Sequence, residues 1–559
     1  MHAVCTDCHS TPRNVLPARL ACVARILVVE PVAQAGIDLL AAAHDTDVRL
    51  NLTRAELLGL LADGSGYDAV VVRSQTRVDK EFLRAGIPRL AVVGVASVGT
   101  DRIDLAAATA AGVMVVNAPT GNTIAAAEHT VALMLSMLRR IPAADASVRR
   151  GEWERGSFTG AELRGKVLGI IGLGKIGKQV ARRVLAFDMK VMAHDPYLTA
   201  EQASEAGARL VGFPELLLAA DVITVHTPLT QQTRGMIGAT QLDAMKRGVH
   251  VLNVARGGII DEAALAKALA SGHVAGAAID VFATEPMAPD NPLRSAPNTV
   301  LTPHLGASTR EAQARVGHEM AEQLAMALSG VTPPYAVNAP AVAADIAPRL
   351  RPYVELSRRL AVLARQLATS PIGAIGLTYA GEIAAWDPSP LRTAAIAGLL
   401  EAVTDQRVNA VNADLVARQR GLTVTETRTD DSEPWSSLVT LSIAASSGSD
   451  NAGGLRLAGS TAHGRAHLTS LDGFEIDAEL SGTILITRHH DRPGVVGAVG
   501  TVLAEAGVNI SSLELSRLSA AGEAMMFVSV DERVDVGTLD RLRAHDAILE
   551  ARVVELPRE

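Results

Sequence analysis

Arg256, Glu285 and His304 each stand where an apolar run gives way to polar residues: H-V-L-N-V-A-R-G-G-I-I-D-E, A-G-A-A-I-D-V-F-A-T-E-P and T-V-L-T-P-H-L-G. A guanidinium in such a place can grip the planar carboxylate of a small acid in a fork and polarise an adjacent carbonyl oxygen. An imidazole, with its pKa near neutrality, can take a hydroxyl proton as hydride leaves the same carbon. A carboxylate on the other ring nitrogen would fix the tautomer and support the imidazolium that develops. These three are the candidate catalytic residues for oxidation of a 2-hydroxy acid.

Gly172, Gly174 and Gly177 form G-x-G-x-x-G directly after the run V-L-G-I-I and directly before a helical stretch with Val180, Ala181 and Val184. In that context the first glycine allows a tight turn, the second lets amides approach a pyrophosphate, and the third lets the helix pack closely on a sheet. The phosphates would sit at the positive end of the helix. Asp195 closes the next apolar run and suits a ribose with both hydroxyls free, while it would repel a 2′-phosphate. The expected cofactor is therefore NAD, not NADP.

The elements that must position these groups read as alternating strands and helices. Runs at Arg25 to Glu30, Ala69 to Val72, Leu90 to Val95 and Val113 to Val116 predict a first parallel sheet. Those at Val167, Lys190, Asp221, His250 and Thr299 predict a second, with several polar residues at carboxyl ends, where such sheets bind ligands. A helix is expected over Ser308 to Ser329, followed by a proline-punctuated linker. Patterning leaves the fold of Val342 to Leu480, with its Gly/Ser-rich turn at Ser446 to Gly454, unresolved. From Thr483 the order βαββαβ predicts a small sheet with two helices on one face.

The chain has 559 residues, enough for several domains, with a net charge of -8 and only 3% aromatic residues against 48% apolar ones. That balance argues against nucleic-acid binding, which needs basic stripes or stacking aromatics. The three cysteines, Cys5, Cys8 and Cys22, cluster near the start, which excludes a disulfide framework. No metal site is expected from C-T-D-C with His2 and His9, since a second ligand pair is missing. With no secretory signal and no membrane-length apolar segment, a cytoplasmic protein with a disordered tail over 1–24 is expected.

G-L-G-K-I-G, H-T-P-L-T at His226, N-V-A-R-G-G-I-I-D-E, D-V-F-A-T-E-P and P-H-L-G-A-S-T resemble, in order and spacing, the signatures of the D-isomer-specific 2-hydroxy acid dehydrogenases. With V-N-A-P at Val337, the four-part organisation is similar to the long bacterial form of that family, whose members oxidise D-3-phosphoglycerate at the head of the phosphorylated serine route. The resemblance implies an α/β protein with two Rossmann-like doubly wound domains, an intervening α/β regulatory domain and a C-terminal βαββαβ ACT domain. The implied divisions are 25–121 with 305–338 for substrate, 122–304 for NAD, 339–480 for regulation or assembly, and 481–559 for an effector. Carried over residue by residue, Arg256 binds substrate, Glu285 orients the histidine and His304 is the acid/base. Gly172, Gly174, Lys175, Ile176, Gly177, Asp195, Thr227, Pro228, Ala255, Asp280, His304 and Gly306 contact NAD, with Asp280 at the nicotinamide carboxamide. Ser97, Val98 and Gly99 receive the substrate carboxylate and Arg73 its phosphate.

The same resemblance places L-serine, as a feedback effector, against His489, Asp491, Pro493, Gly494 and Asn509, with both His489 and His490 in the loop after the first ACT strand. It implies a homotetramer, with Trp153 reaching a neighbouring subunit. Arg456, His463, Arg465 and His467 are cationic candidates in the intervening domain. Two departures bear on substrate: V-A-S-V-G-T-D-R has Val95 in place of a usual arginine and Arg102 in place of asparagine, and Gly156 and Ser157 replace residues that are often basic. The expected substrate is a small phosphorylated hydroxy acid; another D-2-hydroxy acid such as 2-hydroxyglutarate, or a nonenzymatic amino-acid sensor, is the alternative.

Overall fold

The computed structural model describes residues 23–63, 66–343, 345–404, 406–445 and 454–558. The cysteine-bearing start of the chain, where the tail and the rejected metal cluster were expected, lies outside the described residues, as does nearly all of the Ser446 to Gly454 turn. No helix among the described residues is long and apolar enough to cross a membrane.

Five parallel strands form the first sheet, in the order Asp45–Val48, Arg25–Val28, Ala69–Val72, Val92–Val95 and Met114–Asn117. Leu27, Val70, Val93 and Val115 face one core, and Ile26, Val71, Val92 and Val116 face the other. Burial on both faces is what makes these strands continuous apolar runs. The edge strand Asp45–Val48 is D-T-D-V with no buried residue, so it carries no such signal.

The second sheet has seven parallel strands, in the order Thr299–Leu301, Val274–Ile279, Val249–Asn253, Val222–Val225, Val167–Ile171, Lys190–His194 and Arg209–Leu210. The order reverses at Val167–Ile171, which creates the crevice where doubly wound sheets bind ligands. Helix Arg310–Leu328 starts at Thr309, whose hydroxyl accepts the Ala312 amide, and returns the chain to the first sheet through Val316, Met320 and Leu324. The two passages between the domains are tied together. Glu319 accepts the amides of Thr120 and Gly121 at 3.2 and 2.9 Å, and Arg315 Nε donates to the Gly121 carbonyl at 3.0 Å.

Helix Ala347–Leu367 follows, with Pro348 in its first turn, where a missing N–H breaks no helical hydrogen bond. It lies on a six-stranded sheet ordered Thr423–Thr429, Ile372–Gly381, Ser437–Ala445, Arg456–Ala462, Arg465–Leu471 and Phe474–Glu479. The last sheet is antiparallel, ordered Ile510–Arg517, Glu523–Val530, Gly482–His490 and Ile548–Leu556, and with helices Val495–Glu505 and Val536–Arg543 it has the βαββαβ order. Leu485, Met526 and Val528 face those helices, whereas Ile484, Ile486, Phe527 and Val554 join the core of the preceding domain. The C-terminal sheet is therefore covered on both faces.

Helix Arg310–Leu328 crosses helix Gln34–Ala41 at a glycine pair: a Cβ on Gly36 would lie 2.6 Å from the Gly317 carbonyl oxygen. Gly36→Ala should push the helices apart and destabilise the first domain by about 1–3 kcal/mol. Denaturant unfolding of the variant, followed by circular dichroism, measures the shift.

Candidate active site

Gly172 ends its strand at φ +92°, and a Cβ there would meet the His226 carbonyl oxygen at 2.7 Å. A Cβ on Gly177 would lie 2.3 Å from the Gly172 carbonyl oxygen, whereas one on Gly174 would meet nothing within 4 Å. The outer glycines thus pack protein on protein, and the middle one faces open space. Lys175 and Ile176 begin helix Lys175–Leu185 and bring it unpaired amides. Asp195 accepts the Leu173 amide on Oδ2 and the Tyr197 amide on Oδ1, both at 3.0 Å, which fixes it at the rim of the turn. Beside Gly172, His226 Nδ1 and Thr227 Oγ1 are buried and, among the described residues, have no partner. Burial pushes the His226 pKa down to about 4 and keeps the ring neutral. Pro228, next in line, accepts the Thr233 hydroxyl on its carbonyl at 2.6 Å. Open space at Gly174, free helix amides and orphaned polar atoms at the switch point fit a dinucleotide.

At the ends of the neighbouring strands, His304 Nδ1 and Glu285 Oε2 are 2.8 Å apart, and Glu285 Oε1 accepts the Phe282 amide at 3.0 Å. The Glu285 hydrogen bond raises the His304 pKa above its ordinary value, against the opposing effects of burial and of the Arg256 charge. Arg256 is therefore close enough for its charge to be felt at His304. Burial works against ionisation of Glu285, but the His304 and Phe282 hydrogen bonds hold its pKa low. Asp280, expected at the carboxamide, is fully buried and takes Thr302 Oγ1 at 2.6 Å, the Leu305 and Gly306 amides at 2.8 and 3.0 Å, and His129 Nε2 at 3.2 Å. The His304 amide donates to the Asp280 carbonyl at 2.8 Å.

Arg256 follows Asn253, whose side-chain amide donates to the Arg256 carbonyl at 2.8 Å while its Oδ1 accepts the Ala255 amide at 3.0 Å. Arg256 Nε pairs with Asp101 Oδ2 at 3.0 Å, and Nη1 donates to the Ala255 carbonyl at 2.7 Å. Opposite lies the loop of Ser97, Val98 and Gly99. Ser97 Oγ donates to the Gly99 carbonyl at 2.8 Å, and Asn117 holds the Val98 carbonyl at 2.7 Å. Among the described residues, the Val98 and Gly99 amides have no acceptor. The arginine, the histidine pair and this loop therefore converge.

Three contributors had no signal strong enough to be singled out in sequence: Asp101, His129 and Glu30. Glu30, 4% exposed, accepts the amides of Arg73, Ser74, Gln75 and Thr76 at 2.8 to 3.0 Å. Burial raises its pKa, but those hydrogen bonds outweigh it and hold the carboxyl below its ordinary value. This anchors the Arg73 loop, and among the described residues the Arg73 guanidinium itself has no partner. Val95 is fully buried in the first core, so its side chain does not face the cleft; Arg102 is exposed, and so is Trp153.

The C-terminal domain corrects one expectation. His489 and His490 are the last residues of strand Gly482–His490, not part of the loop, because the strand stays paired with Glu523–Val530 to its end. His489 is 2% exposed, and burial lowers its pKa. Asp491 accepts the Ala521 amide at 3.1 Å and Arg517 Nη1 at 3.3 Å. Gly494, after Pro493, opens helix Val495–Glu505 at φ +95°. Asn509 donates to Asp531 from Nδ2 and to Glu532 from its amide, both at 2.6 Å. In the intervening domain Arg465 pairs with Glu479 and His467 with Asp477, while His463 is exposed at a positive-φ turn and Arg456 has its amide on Asp472.

Residues 131–306 match the model of the D-isomer specific 2-hydroxyacid dehydrogenase NAD-binding domain, 349–462 the D-3-phosphoglycerate dehydrogenase intervening domain, and 483–547 the ACT domain. The chain is 41% identical over 538 residues to D-3-phosphoglycerate dehydrogenase 2, chloroplastic, of Arabidopsis thaliana, covering 94% of this chain and 86% of that one. It belongs to the D-3-phosphoglycerate dehydrogenase family of D-isomer-specific 2-hydroxy acid dehydrogenases. The family's enzyme from Archaeoglobus fulgidus is 39% identical over 535 residues, 95% of this chain and 100% of its own. Among solved structures, a glyoxylate reductase from Paecilomyes thermophila superposes with a TM-score of 0.53 at 31% identity, over 56% of this chain and 98% of its own. The TT0316 protein of Thermus thermophilus gives 0.51 at 36% identity, over 56% of this chain and 99% of its own. The cofactor of this domain is NAD.

Gly174 has φ -72° and ψ -158°, a conformation open to a β-branched residue. Gly174→Val should therefore leave thermal unfolding of the apoprotein unchanged while weakening NADH binding about tenfold or more, read by fluorescence titration.

Proposed function

We propose that this chain oxidises D-3-phosphoglycerate to 3-phosphohydroxypyruvate with NAD, the entry to phosphorylated L-serine synthesis, under feedback by L-serine. The observation that carries the chemistry is the convergence of Arg256, the His304–Glu285 pair and the unpaired Val98 and Gly99 amides on one cleft beside the glycine turn. The substrate assignment draws on relatives of that name aligned over nearly the whole chain.

NAD, when bound, supplies the hydride acceptor. The chain supplies the rest. With Nδ1–H directed at Glu285, neutral His304 presents the Nε2 lone pair and takes the hydroxyl proton from C2. Arg256 polarises the C2 oxygen, and the Val98 and Gly99 amides, with Ser97 shaping their loop, receive the carboxylate. Arg73, anchored through Glu30, is the assigned phosphate partner, and Arg102 is the exposed cation left to assist it. Asp195 takes the adenosine ribose, Thr227 and Pro228 line its side, and Ala255 and Gly306 lie by the nicotinamide. Among the described residues Asp280 accepts one donor on Oδ2, the Gly306 amide, which leaves a lone pair there for the carboxamide.

The domain divisions follow the same reading: 25–121 with 305–338 for substrate, 122–304 for NAD, 339–480 for regulation and assembly, and 481–559 for the effector. L-Serine is assigned to His489, Asp491, Pro493, Gly494 and Asn509, in a cytoplasmic homotetramer.

The decisive measurement is a panel of D-3-phosphoglycerate, D-2-hydroxyglutarate, D-lactate and D-glycerate with NAD and NADP at 340 nm, with 3-phosphohydroxypyruvate in reverse. Preferential turnover of the phosphorylated pair with NAD is expected; robust use of another acid alone would replace the substrate. His304→Ala should reduce turnover about 100- to 10,000-fold.

The raised His304 pKa sets the pH dependence. Oxidation needs the neutral ring, so its rate climbs as pH rises through that pKa, while reduction needs the protonated ring and falls. Glu285→Gln removes the cause of the raised value. Both limbs should then move to lower pH, with slower turnover, in profiles of kcat against pH; limbs that stay in place would sink the orienting role.

A further inference from the structure

We propose that Asp101 positions Arg256: it holds the guanidinium by Nε across the cleft, so that its terminal nitrogens meet the substrate in one orientation and do so only when the cleft is closed. The inference rests on the dehydrogenase reading above.

Asp101 lies on the first domain, two residues after Gly99, and Arg256 on the second. Their pair, Nε to Oδ2 at 3.0 Å, spans the cleft with side chains 57% and 27% exposed. At that exposure an ion pair adds little to stability. Its consequence is geometric. A free guanidinium offers two forks to a carboxylate, Nη1 with Nη2 and Nε with Nη2. Here Asp101 takes the only hydrogen of Nε and so occupies the Nε–Nη2 fork, while the Ala255 carbonyl takes one of the two Nη1 hydrogens at 2.7 Å. Nη2 is packed against the substrate loop: a Cβ on Gly99 would lie 2.1 Å from Nη2 and 2.6 Å from Asp101 Oδ2.

The Nε side of the guanidinium is thus taken, and the work divides. The unpaired Val98 and Gly99 amides are left to hold the carboxylate, and Nη2 is left to reach the C2 oxygen, where negative charge grows during reduction. Those amides and Asp101 sit on one loop. Closing the loop on the second domain delivers the amides and orients Arg256 together, and an open cleft releases both. Asp101 touches no reacting atom in this scheme; it acts through Arg256.

The test uses the full-length enzyme in reduction of 3-phosphohydroxypyruvate by NADH, with NADH affinity measured separately by fluorescence. Asp101→Ala should raise KM and lower kcat, reducing kcat/KM about 10- to 100-fold, as expected when a reacting group loses its orientation. NADH affinity should not change. Asp101→Asn, which still offers an oxygen to Nε–H, should recover most of the loss. If the alanine variant fails to fold, Asp101→Glu, whose carboxylate is displaced by one methylene, should show the same KM rise with normal NADH binding. A lower KM in Asp101→Ala would mean that Asp101 competes with substrate for Arg256, and would overturn the proposal. Unchanged constants in that variant would overturn it too, while leaving the dehydrogenase reading intact. A wild type inactive on every acid of the panel would remove that reading and this inference together.

Discussion

A carboxylate shut away from water must be compensated from within the protein or lose its charge. Asp280 is fully buried. Burial alone would raise its pKa, yet hydrogen bonds from His129, Thr302 and the Leu305 amide outweigh that and lower it. Apart from His129, every donor belongs to the short segment that carries His304. Satisfying one buried charge and shaping one turn are therefore the same event. The turn holds His304 at φ +58°, a left-handed conformation that disfavours residues with a Cβ by roughly 1–2 kcal/mol. The hydrogen bonds to Asp280 hold the backbone there, so the imidazole emerges at the cleft with one nitrogen on Glu285 and the other free.

That explains why some of the site was legible in sequence. Gly172 and Gly177 act through backbone shape, a local property, and pack closely where their spacing implied it, with Gly174 facing open space between them. Arg256 and His304 follow the strands Val249–Asn253 and Thr299–Leu301, and their polarity stands out against the apolar residues before them. Asp101, His129 and Glu30 are different. Asp101 and His129 matter through partners more than 150 positions away, Arg256 and Asp280 respectively, and no local pattern reports such a contact. Glu30 is intermediate: it ends R-I-L-V-V-E as a polar residue after a strand, the same cue that drew attention to Arg256, but its ligands are four backbone amides, which have no side-chain signature.

The same distinction runs through the fold. Strands buried on both faces, such as Ala69–Val72, were readable because their residues are all apolar. Val274–Ile279 is equally buried but is V-A-G-A-A-I, and small residues give little strand signal even in the middle of a sheet. In the intervening domain, Arg456–Ala462 reads R-L-A-G-S-T-A, and its place in the sheet depends on helix Ala347–Leu367 lying over it: a Cβ on Gly459 would meet Leu356 Cδ1 at 2.8 Å. Tertiary packing makes that strand. Strand Gly482–His490, with its run I-L-I bounded by threonines, needed no such help to be recognised, but sequence did not show that it stays paired through both histidines.

The cleft divides its labour between domains by the way each holds its side chains. The second domain presents Arg256, Glu285 and His304 from strand ends fixed by the sheet and by Asp280. The first presents loops: Arg73 on amides gathered by Glu30, and Val98 and Gly99 between the Ser97 and Asn117 hydrogen bonds. One side is thus held by the sheet and the other by anchored loops. The contacts that cross are correspondingly light and solvent-reached. Lys175 Nζ lies 5.4 Å from the centre of the Tyr335 ring, and Asp101 meets Arg256 at 3.0 Å. Contacts of this kind contribute little energy each, whereas the passage between the domains is tied by hydrogen bonds among Gly121, Arg315 and Glu319.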